Sequence, residues 1–154
     1  MGPCLLLAGW AIQHAAGELP TGIFLLVLLL PALLIPTHEL MHVAGYLVNP
    51  RSPLLITGIW PTHGLWYVIY DRPLPRWRVQ LMLVTPFLAL SVMPALVALL
   101  APTGWRWAVL YLVAMHSALC VGDLLTMGRI WRHVPRGAWL HNQQWTTYWS
   151  PRAP

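Results

Sequence analysis

Three long apolar runs, about Gly22 to Val48, Val79 to Ala101 and Trp105 to Ile130, set the terms for this chain. Each is long enough to cross a bilayer, which takes about 20 residues of helix. With three such runs in 154 residues, little polar surface remains for water. The composition agrees: 58% of residues are hydrophobic and 8% charged, where soluble domains carry about a quarter charged residues. The expected fold is membrane α-helical, a single domain over residues 1–154 with about three transmembrane helices. Pro31 and Pro36 should kink the first span, and Pro86 and Pro94 the second. Membrane helices tolerate this where neighbours satisfy the freed carbonyls.

Two shorter features flank and link these spans. Cys4 to Ala16 is apolar but too short to span, and Gly17, Glu18 and Pro20 end it. It reads as a short N-terminal interfacial or half-inserted helix rather than a cleavable signal, since no basic segment precedes it. Leu54 to Asp71 is rich in β-branched and aromatic residues on both sides of Pro61–Gly64. That pattern predicts a short β-hairpin between the first and second spans, turning at Pro61–Gly64. It is too apolar for a free loop, so it should pack on the helices or dip into the interface.

The +5 charge comes from arginine alone. Arg51, Arg72, Arg76 and Arg78 lie between the first two runs, Arg106 near the next junction, and Arg129, Arg132, Arg136 and Arg152 at or beyond the end of the third. Clustering at the ends of apolar runs points to a bilayer and not to nucleic acid. It places the first loop and the C-terminus in the cytoplasm and the N-terminus outside. Trp77, Trp105, Trp107 and Trp131 sit at run ends, where interfacial anchors belong. Cys4 and Cys120 are too far apart for a metal motif and make no disulfide framework.

Inside the first run stands His38-Glu39-Leu40-Met41-His42. Ionisable groups within a span are costly and functional by default. On a helix, residues four apart share a face, so the two imidazoles can bind one zinc ion. The glutamate between them can reach a metal-activated water as general base. A catalytic zinc usually takes a third protein ligand and keeps one position open. Gly45 fits the longer HExxHxxGxxH pattern, but Val48 stands where its last histidine would be, and no glutamate follows Glu39. Two carboxylates remain. Asp71 lies in the loop, as a solvated residue or a partner for a nearby arginine. Asp123 lies about 27 Å along the third run, close to the depth of His38 at about 24 Å along the first. Asp123 is the expected third ligand. His116, two helical turns before it, either orients a ligand, replaces Asp123, or simply bonds a neighbouring helix. His63, at the hairpin turn, would contact substrate or transition state if the hairpin folds over the site; otherwise it is a turn residue.

An HExxH in an early span, a strand-like loop and Gly122-Asp123 within SALCVGDLLTMGRIWRHVP together resemble the zincin family of small bacterial membrane metallopeptidases. The resemblance runs from about Gly22 to Tyr148, and HELMH is its specific part. More distantly the chain is similar to site-2 proteases, which cleave substrates within the membrane. The resemblance implies Zn2+ on His38, His42 and Asp123, Glu39 as the catalytic residue, and residence in the bacterial inner membrane. Site-2 proteases carry Asp-Gly in their later motif, whereas Asp123 precedes Leu124 here. The likeness therefore concerns architecture and chemistry, not substrate.

The expected function is a zinc-dependent membrane metalloprotease acting on membrane or membrane-proximal proteins or peptides. The alternative is a non-catalytic, zinc-stabilised adaptor or pseudo-protease that binds a client helix. Glu39 separates them, because a structural site has no use for a general base. Metal transport is disfavoured, because no series of polar groups crosses the spans. Three spans make a small enclosure, which a homodimer or a partner membrane protein would complete.

Overall fold

Helix α1 covers Thr21–Gly45 and carries the HELMH segment in its last three turns. The computed structural model describes residues 21–60, 65–143 and 146–151. The expected interfacial helix at Cys4–Ala16, and the expected turn at Pro61–Gly64 with His63, lie outside the described residues. Helix α1 stops at Gly45, short of the expected Val48. Tyr46 N–H donates to His42 O at 3.0 Å and Leu47 N–H to Ala44 O at 3.2 Å. Leu47 then takes φ 53°, the left-handed conformation that commonly ends helices but usually on glycine or asparagine.

The expected hairpin is present. Strands β1 (Leu55–Trp60) and β2 (Leu65–Tyr70) pair antiparallel, from Leu55 opposite Tyr70 to Trp60 opposite Leu65. They form a two-stranded sheet. Leu55, Val68 and Tyr70 pack against a buried cluster of Tyr46, Leu74, Val79, Met82, Leu83, Ile130 and Leu140. The apolar loop is thus held on the helices.

The second run is helical from Arg76 to Ala98, in three parts: α2 (Arg76–Phe87), a π-helical turn (Leu88–Val92) and α3 (Met93–Ala98). In the π turn Met93 N–H reaches Leu88 O, which accommodates one extra residue. The run begins at Arg76 rather than Val79, and this corrects the reading of Arg76 as a loop cation. Its N–H donates to Ala138 O at 2.9 Å. Its buried guanidinium donates to Trp131 O at 3.2 Å and lies 5.7 Å over the Trp131 ring.

The third run is not one helix. It breaks at Cys120 into α4 (Thr103–Leu119) and α5 (Val121–His133). Cys120 has ψ −6° and its N–H turns back to the carbonyls of Ala118 and His116, which closes α4. A three-stranded sheet, unanticipated in the sequence, joins β3 (Leu74–Pro75), β4 (Trp139–Gln143) and β5 (Thr146–Ser150) in that order. Leu74 pairs with Leu140, and Leu140 with Trp149. Among the described residues, Arg76–Ala98 is long and apolar enough to cross a membrane, and Trp105–Leu119 with Val121–His133 qualifies as a broken pair.

The chain forms two compact units. One comprises residues up to 35 and 87–121, the other residues 36–86 and 122–154. In the first, Arg106 of α4 caps the C-terminal end of α3, its Nε donating to Ala98 O at 3.2 Å and its Nη2 to Ala101 O at 3.2 Å. In the second, the buried cluster around Met82 joins Tyr46, just past the end of α1, to α2, α5 and both sheets.

Candidate metal centre

The second unit brings His38, His42 and Asp123 together. Both histidines are buried, at 7% and 6% exposure, on one face of α1, as four-residue spacing requires. Their rings meet edge to face with centroids 4.7 Å apart. Asp123 arrives from the first turn of α5. The break at Cys120 thus gives Asp123 a helix N-terminus, where a carboxylate is favoured by the helix dipole. It does not lie in the middle of a continuous span, as its place in the sequence suggested.

Three donor atoms converge. His42 Nε2 lies 3.1 Å from His38 Nε2, Asp123 Oδ2 lies 3.1 Å from His38 Nε2, and Asp123 Oδ2 lies 3.5 Å from His42 Nε2. Ligand atoms set tetrahedrally at about 2.1 Å from a zinc ion are about 3.4 Å from one another. The observed spacings match that triangle. Asp123 Oδ2 is buried between the two imidazoles. Two imidazoles and a carboxylate are a three-ligand set of the kind catalytic zinc uses. The residues present therefore fit the metal that the HExxH spacing calls for.

A backbone group orients one ligand. His42 Nδ1 lies 3.0 Å from Met82 O in α2. A carbonyl only accepts, so Nδ1 carries the proton and Nε2 presents its lone pair to the cluster. The helices must approach closely for this contact. A Cβ on Gly45 would lie 2.6 Å from Met82 Cα and 2.7 Å from Thr85 Oγ1, so position 45 has room for glycine alone. Gly45, seen in the sequence only as part of an incomplete zinc motif, has a packing role.

Glu39 is half-buried on α1 next to His38 and forms no ion pair among the described residues. His116 belongs to the first unit and is fully buried, with Nδ1 2.8 Å from Ser91 Oγ of the π turn and 3.6 Å from Cys120 Sγ. Asp71 is exposed, and its neighbour is His141, at 3.4 Å, rather than an arginine. Among the described residues nothing lies where a Cβ on Gly122 would stand, so their packing does not require a glycine before Asp123. Sequence reasoning missed Met82, whose side chain carries no signal because its backbone makes the contact. It also missed the pairing of Ser91 with His116.

A family model described as putative zincin peptidase matches residues 31–139. That span includes both histidines, Glu39 and Asp123. No curated protein and no solved structure matches the chain.

Proposed function

The chain belongs to the zincin peptidase family, and from that membership we propose a zinc-dependent, membrane-embedded metallopeptidase, similar in chemistry to site-2 proteases. Its substrates are membrane or membrane-proximal proteins. The observation that carries this reading is the convergence of His38 Nε2, His42 Nε2 and Asp123 Oδ2 within 3.1–3.5 Å, beside a glutamate that belongs to the same helical turn. His38, His42 and Asp123 would hold the metal. When bound, zinc supplies a Lewis acid that acidifies water and polarises the scissile carbonyl. Glu39 takes the proton of the attacking water and delivers it to the leaving amine nitrogen. His42 keeps its lone pair on the metal side through its bond to Met82 O.

A helical substrate hides its carbonyls in hydrogen bonds, so it must unwind before it is cut. The two-stranded β1–β2 sheet belongs to the same unit as the ligands and has no third strand among the described residues. Strand addition there would hold an unwound segment through its backbone. Proline placed in turn at successive positions of β1 should lower cleavage at some of them. Unchanged cleavage at all would argue against strand pairing.

Zinc per chain in detergent-solubilised protein tests the ligand set. Wild type and Glu39→Gln should hold about one zinc, and Asp123→Ala should lose it while staying folded. Metal-replete wild type without zinc overturns the reading. Retention by Asp123→Ala would mean that Asp123 is not the third ligand. Catalysis is separated from a zinc-stabilised adaptor by comparing membrane proteins from cells making wild type or Glu39→Gln. New protein termini should arise with wild type only; identical termini would favour the adaptor.

A further inference from the structure

The second apolar run carries a proline, Pro86, inside α2, fully buried. In an uninterrupted α-helix the N–H of residue 86 would donate to the carbonyl of residue 82. Proline has no N–H, so that donor is missing. The carbonyl concerned is Met82 O, the group that accepts from His42 Nδ1–H at 3.0 Å. Pro86 and His42 are thus complementary: one removes a donor, the other needs an acceptor. In an apolar interior each group alone would be left costly and unsatisfied. Gly45 brings α1 close enough for the two to meet, because its missing side chain is what lets Met82 Cα approach.

We propose that Pro86 is a positioning residue for the metal centre: by removing the N–H that would claim the Met82 carbonyl, it reserves that carbonyl for His42 and fixes the tautomer that points Nε2 at Asp123. This rests on the zinc reading above for its consequence, but its mechanism lies wholly in the protein chain. Pro94 in α3 provides an internal control. It removes an N–H from the same apolar run, and the carbonyl four residues back belongs to Leu90, which has no part in the metal centre.

The experiment compares three forms of the full chain in detergent. The first is wild type. The second is Pro86→Ala, which restores the N–H. The third is the ester analogue of that variant, with a backbone oxygen in place of the N–H at position 86. The last two differ by one N–H and share the same side chain. Zinc dissociation constants are measured in all three, together with the tautomer of His42 by 15N NMR in the metal-free protein. Pro86→Ala should bind zinc about 10–100-fold more weakly, the usual effect of losing a group that orients a ligand. Its His42 should lose the Nδ1–H preference. The ester analogue should regain the affinity and tautomer of wild type, and Pro94→Ala should leave both unchanged. Equal behaviour of the alanine and ester forms overturns the proposal, whether both bind as wild type does, both bind weakly or both fail to fold. A loss of affinity in Pro94→Ala as large as in Pro86→Ala also overturns it. If wild type binds no zinc, the peptidase reading fails, and the tautomer comparison alone still decides the role of Pro86.

Discussion

At the scale of single residues, the site depends on two positions that carry no chemistry. Gly45 permits the contact between α1 and α2. In Gly45→Ala the new methyl would meet Met82 Cα at 2.6 Å, and a backbone atom cannot swing aside. The helices must separate, with an expected loss of about 1–3 kcal/mol in reversible unfolding. Because Met82 O orients His42, zinc affinity should fall with it. Unchanged stability and affinity would mean that the two helices are not tightly packed at this point. Leu47 is the opposite case. Its φ of 53° strains a branched side chain that is exposed. Leu47→Gly should stabilise the chain by about 1 kcal/mol, read by the same unfolding measurement, and a loss of stability would show that the side chain's contacts outweigh the strain. The candidate ligands were legible from sequence for physical reasons. Two histidines four apart declare a shared helical face, and a carboxylate inside an apolar run needs a cause. The Met82 carbonyl was illegible because every residue has one. Only the proline four residues on marks it, and sequence reading takes a proline as a kink before it takes it as a missing donor.

At the scale of elements, breaks shape the site more than continuous helices do. The interruption at Cys120 ends α4 and starts α5, and so places Asp123 in a first helical turn. No proline or glycine stands at position 120, and the apolar run continues through it, so hydropathy alone predicts one span. The hairpin was legible because β-branched and aromatic residues flank a turn-forming cluster. The second sheet was not. Strand β3 has two residues, one of them Pro75, and the WLHNQ of β4 lacks alternation. Its pairing follows from tertiary contacts around Leu74 and Leu140. Arg106 belongs to this scale as well. Its guanidinium reaches the carbonyls of Ala98, Leu99 and Ala101 at 3.2–3.4 Å, and these are C-terminal groups that α3 cannot satisfy internally. Arg106→Met should cost about 2 kcal/mol of stability. Arg106→Lys should recover only part of it, since one ammonium cannot match the geometry of the guanidinium fork. Full recovery by lysine would show that charge near the helix end suffices.

At the scale of the whole molecule, the proposed orientation rests on the distribution of arginine, and the fold bears on which arginines are counted. Arg76 is buried against Trp131, and Arg106 is bound to the carbonyls at the end of α3. Both are engaged by structure, so neither should be counted as a loop charge. Arg51 and Arg72 remain between the first two apolar runs and Arg78 in the first turn of α2, none remains at the junction of the second and third, and Arg129, Arg132, Arg136 and Arg152 remain at the C-terminal end. Removing the engaged pair leaves the asymmetry sharper: the only arginine on the opposite side has dropped out. We therefore propose that the hairpin loop and the C-terminus face the cytoplasm and the N-terminus lies outside. On this orientation HELMH, in the last turns of α1, lies towards the cytoplasmic side, where water for hydrolysis is close. A reporter that is active only in the cytoplasm should be active when fused after position 154, and one active only outside should be silent there. A single cysteine introduced at the junction between α3 and α4, in a background with Cys4 and Cys120 replaced, should react with an impermeant thiol reagent added to intact cells. The reverse pattern in both assays would invert the orientation and move the site to the outer side, where substrates would present their external segments instead. Arg106→Gln should leave the pattern unchanged, because the charge it removes is already held by the carbonyls at the end of α3; an inverted or mixed topology in that variant would mean that Arg106 acts as a topogenic charge after all.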